Sequence, residues 1–144
     1  MANICLTIGT KAPADKMMAA LNTIDGLNNW WTSDTSGDTV IGGIIIFRFG
    51  ENGGMDMRVQ ESNPQKVTWE CMTGPDEWVG TKLHFLVEEN EGHAQLMFKH
   101  EGWAAETSFH HHCSMKWAVF LLSLKQYLDT GEGRAFPNDI QIAA

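Results

Sequence analysis

Residues 107–131 read TSFHHHCSMKWAVFLLSLKQYLDTG. Phe109, Cys113, Trp117, Phe120, Leu121, Leu124 and Leu128 recur at spacings of three and four, which lays one apolar stripe along a helix. Thr107 or Ser108 can cap its start, because a hydroxyl there accepts from an otherwise unpaired backbone N–H. Gly131 stands where a left-handed residue ends a helix. At about 1.5 Å per residue, a helix over roughly 107–129 is about 33 Å long and can cross a whole small sheet. So long a stripe needs a concave apolar partner, and the preceding residues must supply it.

They do so by alternation. Ile45, Phe47 and Phe49 alternate with Ile44, Ile46 and Arg48, and Met55, Met57 and Val59 with Asp56, Arg58 and Gln60. Val67, Trp69 and Cys71 follow, then Leu83, Phe85 and Val87, and finally Leu96, Phe98 and His100. Gly50 to Gly54, Asn63-Pro64, Gly74-Pro75-Asp76 and Asn90-Glu91-Gly92 punctuate the run with turn residues. Strands joined by such short turns are antiparallel, since parallel neighbours need long crossovers. Upstream, Ile4, Leu6 and Ile8 predict another half-buried strand. Pro13 opens a helix carrying Met17, Met18, Ala20 and Leu21, with Gly26 expected to break it before a short second piece holding Leu27, Trp30 and Trp31. The pattern is α+β: a curved antiparallel sheet of six to seven strands around a long C-terminal helix, with two short helices after the first strand.

Composition narrows the function. The 144 residues include 43% hydrophobic and 19% charged side chains, enough for one real core and too apolar for disorder. Six Trp and seven Phe against one Tyr point to a bulky interior or an aromatic pocket. A net charge of −8, with scattered basic residues, argues against nucleic-acid and anionic-membrane partners. Cys5, Cys71 and Cys113 form neither a disulfide framework nor a zinc knuckle. The N-terminus lacks a basic region followed by a long apolar one, so no signal peptide is expected, and a cytoplasmic location is.

Gly102-Trp103, Trp117-Ala118, Phe120-Leu121, Ser123-Leu124-Lys125, Tyr127-Leu128, Thr130-Gly131, Gly133 and Phe136-Pro137, together with Trp30-Trp31, carry a resemblance that covers essentially the whole chain. The element order resembles the START and birch-pollen-allergen superfamily, the helix-grip fold. Within it, those motifs resemble the single-domain SRPBCC homologues of the heat-shock protein 90 ATPase activator. The resemblance implies one START-like domain over residues 1–144 and an apolar cavity between sheet and final helix, able to hold a lipid- or polyketide-like molecule. It also brings in a chaperone as a partner. The family has no universal catalytic residue, so none is carried over.

The residues themselves offer several constellations. His110, His111 and His112 invite a metal, but consecutive helical residues point about 100° apart and cannot share one ion. They read instead as surface and rim histidines, and no metal or cofactor is expected. His100 shares the inward parity of Leu96 and Phe98, so it is either a hydrogen-bonded group at the cavity mouth or an acid–base candidate. Glu70 and His84 have the outward parity. Met55, Met57 and Met72 can line a pocket or simply fill the core. Trp78 marks a partner surface if exposed and an anchored loop if buried, as Trp31 does for its own segment. Gly50 to Gly54 lacks the strand–loop–helix context and the Lys of a phosphate loop, and no Ser-His-Asp order or H-E-x-x-H motif occurs.

The expected function is therefore binding of a hydrophobic small molecule without catalysis, in a cavity lined by Trp30, Phe47, Met57, Trp69, Phe85, Phe98, His100 and Trp117. A stress- or chaperone-related interaction module is one alternative, and a cyclase- or hydrolase-like enzyme using His100 is another. A homodimer through a strand edge or the helix face is compatible with the same pattern.

Overall fold

The computed structural model describes residues 2–144. Strand β1 (Ala2–Gly9) leads into helices α1 (Ala14–Asn22) and α2 (Ile24–Trp30). The strands β2 (Asp34–Gly37), β3 (Ile44–Arg48), β4 (Gly54–Ser62), β5 (Lys66–Thr73), β6 (Lys82–Asn90) and β7 (His93–Trp103) follow, and helix α3 (Ser108–Thr130) closes the fold. They form one seven-stranded sheet in the order β1-β7-β6-β5-β4-β3-β2, every neighbouring pair antiparallel. The architecture is the α+β helix-grip arrangement expected from the pattern.

The alternation sorts side chains as anticipated. Ile45, Phe47, Met57, Val59, Val67, Trp69, Leu83, Phe85, Leu96 and Phe98 are all buried on the inner face. Thr107 caps α3 by accepting from the His110 N–H at 3.2 Å, and Gly131 takes the left-handed conformation at φ 89°. Helix α3 is locked to α2 by a polar contact the stripe did not reveal. The buried Ser123 hydroxyl donates to the Trp30 carbonyl at 2.8 Å and accepts from the Arg134 N–H at 2.7 Å.

Two expectations are corrected. Gly26 does not break the first helix. The break is Thr23, extended at ψ 148°, whose hydroxyl caps α2 by accepting from the Gly26 N–H. Gly26 lies inside α2 for a packing reason: a Cβ there would fall 2.6 Å from the Ala20 Cα, so only glycine lets α1 and α2 approach this closely. The strand β2 precedes the first of the alternating strands, Ile44 to Phe49, and is not among those expected. Its sequence, DTSG, has no alternating apolar residues, and it is held at the sheet edge by pairing with β3.

The C-terminal residues return across the open end of the sheet. The Phe136 N–H donates to the Trp31 carbonyl at 2.8 Å, and the Phe136 carbonyl accepts from the Ser33 N–H at 3.1 Å. That return carries Asp139 to the side of α3, where its carboxylate pairs with Lys116. Among the described residues, no helix is long and apolar enough to cross a membrane.

Candidate ligand-binding cleft

The interior between sheet and α3 is a continuous run of aromatic rings. Trp31 is its hub, 4.3 Å from Phe47, 5.0 Å from Trp117 and 6.2 Å from Trp69 between ring centres. Trp69 continues to Phe85 at 4.8 Å, Phe85 to Phe98 at 5.2 Å, and Phe98 to Trp117 at 4.5 Å. Trp30 stacks on Trp31 at 6.0 Å and donates its N–H to the Ala20 carbonyl. Offset and tilted pairs at such distances suit the ring quadrupoles and fill space densely.

His100 sits inside this cluster with no exposed surface. Trp117 Nε1–H donates to its Nδ1 at 3.1 Å, and its Nε2 lies 2.8 Å from Thr81 Oγ1. An indole nitrogen can only donate, so Nδ1 must be the acceptor and the proton of the neutral ring resides on Nε2. That N–H donates to Thr81, whose own hydroxyl donates to the Trp78 carbonyl at 2.5 Å. Burial, assisted by the neighbouring His110, lowers the His100 pKa from 6.5 to about 3. Neither ring nitrogen is left to exchange a proton with a substrate.

A cleft of about 370 Å³ opens where the first half of α3, the β3–β4 turn, the β5–β6 loop and the returning C-terminal residues meet. Its apolar wall includes Trp31, Phe49, Met55, Trp78, Trp117 and Phe120, with Phe109 and Phe136 beside them. Its polar groups are Asn52, His112, Cys113, Lys116, Asp139 and Gln141. Lys116 lies 5.1 Å from the centre of the Phe120 ring, pairs with Asp139 Oδ2 and donates to the Ile140 carbonyl at 3.0 Å. Asp139 Oδ1 is buried with no partner. Burial pushes the Cys113 thiol up to about 11, against a smaller opposing effect of the Trp78 N–H, so the sulfur facing the cleft is protonated.

The eight residues expected to line a cavity are thus brought together, but into the packed interior. Trp30, Phe47, Met57, Trp69, Phe85 and Phe98 belong to one buried core cluster, His100 is buried against Trp117, and only Trp117 is also part of the cleft wall. Parity along a strand shows which side chains point inward. It does not show how far along the strand the packing stops, and the cleft lies beyond that point. Met55 lines the cleft, Met57 is core, and Met72 is half-buried on the outer face. Trp78 is 6% exposed and Trp31 1%, so both anchor their segments from within. The wall residues missed were those of the C-terminal return, which carries no period. Phe109, Cys113, Trp117 and Phe120 were legible as a stripe, though not as the stretch of it left uncovered.

The histidines divide. His112 borders the cleft and His111 is exposed, as rim and surface residues should be. His110 differs from expectation: it is buried edge-on against Trp103, ring centres 4.9 Å apart, because the helix turns it toward the core. Among the described residues, no three His, Cys, Asp or Glu side chains are placed to share an ion. On the outer sheet face His84 lies between Thr68 Oγ1 (3.1 Å) and Glu101 Oε1 (2.9 Å), and the imidazole contact holds the Glu101 carboxyl below its usual range. Thr68 is buried and lies outside the cleft. Glu70 accepts from Gln60 on the same outer face.

Comparison with known proteins fits this geometry. The family model described as activator of Hsp90 ATPase homolog 1-like protein matches residues 11–129. The Aha1 dimer from Colwellia psychrerythraea, solved in solution, is 44% identical with a TM-score of 0.85, over 92% of this chain and 100% of that one. The protein SSP2350 from Staphylococcus saprophyticus is 16% identical with a TM-score of 0.76, over 92% and 95% of the two chains. CalU16 from Micromonospora echinospora is 17% identical with a TM-score of 0.75, over 90% and 75%. The last two share the fold. None of the curated proteins matches the chain.

Proposed function

The chain belongs to the family of activator of Hsp90 ATPase homolog 1-like proteins, and from that premise we propose that it is a one-domain cytoplasmic protein that binds a hydrophobic small molecule, without catalysis, in the cleft under the first half of α3. The carrying observation is the cleft itself: about 370 Å³ of space walled by Trp, Phe and Met with few polar groups, the usual make-up of a small-molecule site. On this reading Trp117 is the member of the first expected set that also lines the cleft, while the other seven are buried in the interior. The proton-locked His100 network argues against the enzyme alternative, since acid–base work needs a nitrogen within reach of substrate.

Three wall tryptophans make the test direct. N-phenyl-1-naphthylamine, a neutral apolar probe, should bind saturably and quench part of the Trp emission. Cys113→Phe, which pushes a ring into the cleft, should weaken binding at least tenfold. A probe that fails to saturate, with unchanged Trp emission, would sink the reading.

A homodimer has a specific observation in its favour, the solution dimer of the 44% identical Colwellia protein. Met115 (57% exposed) and Leu122 (59%) stand one heptad apart on the solvent side of α3 and offer an apolar seam. Sedimentation velocity should then show a dimer that Leu122→Lys dissociates. A chaperone-directed role rests on the family description alone, because the tryptophans whose exposure would have marked a docking patch are buried.

A further inference from the structure

Residues 139–144 reach the cleft as a strap with one fastening. Upstream, the Phe136 backbone is paired with Trp31 and Ser33. Beyond it, among the described residues, every hydrogen bond from 139–144 to the rest of the domain is made by Lys116, to Asp139 Oδ2 and to the Ile140 carbonyl at 3.0 Å. Gln141 Nε2 only turns back onto Asp139. Gln141, Ile142 and Ala143 border the cleft, yet none of them is buried. The fastening is also costly, because it holds the Asp139 side chain at 1% exposure with Oδ1 unpartnered. Once released, that carboxylate regains water on both oxygens, which offsets much of the lost ion pair. A segment with one polar tie and little buried surface opens at low cost.

Lys116 stays in place without the strap. It belongs to α3, its ammonium lies 5.1 Å from the centre of the Phe120 ring, and its side chain is 21% exposed, so an incoming group can reach it. Phe49 and Phe109, on the same cleft, are half-buried and offer apolar surface without any parting of the packed rings behind them. We propose that residues 139–144 occupy the cleft mouth as a self-ligand and that a hydrophobic monocarboxylic acid displaces them. The carboxylate takes the place of Asp139 on Lys116, and the apolar body takes that of Ile142 and Ala143, beside Phe49 and Phe109. This inference rests on the binding reading above and adds to it a ligand class and a gate. One carboxylate replaces another, so the charge balance at Lys116 is kept although the chain carries a net charge of −8. An alcohol of equal length brings no charge to compete with Asp139.

Displacement of bound N-phenyl-1-naphthylamine at pH 7 by decanoate and by 1-decanol tests the ligand class. The wild-type protein should bind decanoate about tenfold more tightly than 1-decanol, the low end for a hydrogen bond between charged groups. Lys116→Met should bring the two within about threefold of each other, and Asp139→Ala, which unfastens the strap, should tighten decanoate about threefold or more. The gate has its own readout. In the wild type, saturating decanoate should lower the heteronuclear 15N NOE of the Gln141 to Ala144 amides to that of a mobile chain. Equal affinities for decanoate and 1-decanol would overturn the ligand class while the displaced naphthylamine leaves the binding site standing. Tight decanoate binding with those amides still ordered, or weakened in Asp139→Ala, would overturn the displacement. If the naphthylamine itself fails to saturate, the binding reading falls and this inference with it. The wild-type measurements decide the matter even where a variant fails to fold.

Discussion

His100 and Asp139 are both buried polar side chains, and Trp78 and Trp117 pack on the first and share a cleft wall with the second, but the fold treats them differently. Around His100 every atom is used: Trp117 donates in, Thr81 accepts, and the Thr81 hydroxyl passes the chain on to the Trp78 carbonyl. Around Asp139 the accounting is open, with Oδ1 unpartnered and the carboxylate set in the wall of a cleft. A fully satisfied buried network rigidifies and specifies a core, whereas an unpaired buried polar atom is costly. The same aromatic material thus serves as packed core on one side of the Trp78–Trp117 pair and as the wall of a cleft on the other.

The largest effect that could break this comparison is the response to acid. Folding holds His100 near 3, while in the unfolded chain it returns to 6.5. Above about pH 6.5 the ring is neutral in both states and contributes no pH dependence. Below that, the unfolded chain takes up a proton that the folded one refuses, so stability falls as pH falls, until the folded value is reached. Between pH 7 and pH 4 this costs on the order of 3 kcal/mol. His100→Gln offers a carbonyl and an amide N–H in place of the two ring nitrogens and cannot titrate. Guanidinium melts at the two pH values should show the wild type losing about 3 kcal/mol more than the variant. Equal losses would mean that the imidazole is open to protons and that the site is not sealed.

Thr81→Val probes the same network more gently. It removes the acceptor of the His100 Nε2–H and the donor to the Trp78 carbonyl while nearly keeping the shape. The loss should be about 1–3 kcal/mol, the penalty for orphaning buried polar groups, and Thr81→Ser should recover most of it. A neutral Thr81→Val would show that the hydroxyl is incidental and that packing alone holds the ring.

How much of this difference could be read in advance depends on what periodicity encodes. The alternation in β3 to β7 and the stripe on α3 announce the sheet, the helix and the inward direction of His100, because each follows from a period and a burial preference. The short β2 escapes, having no apolar alternation, and the break at Thr23 escapes because Gly26 offers a stronger local signal for the wrong reason. The cleft is less legible still. Asp139 reaches the cleft only because Phe136 pairs with the Trp31–Ser33 segment more than a hundred residues earlier in the chain. No local pattern announces a contact of that range. The pairing of His100 with Thr81, the loop residue just before β6, has a shorter span but no periodic signal either, and it fixes the imidazole tautomer.

The smallest effect is the most telling for the open side. Asp139→Asn removes the charge from the ion pair while retaining an oxygen for the Lys116 ammonium. Lys116 keeps the Ile140 carbonyl and its place by the Phe120 ring, and at 21% side-chain exposure it can also reach water. The buried carboxylate meanwhile sheds its own desolvation penalty, which offsets much of the lost attraction. Stability should change by less than about 1 kcal/mol, clearly less than for Thr81→Val although Asp139 carries the formal charge. Denaturant midpoints of the two variants measured side by side decide it. A larger loss at Asp139 would make that carboxylate a structural anchor in its own right, and the asymmetry between the sealed and the open side would disappear.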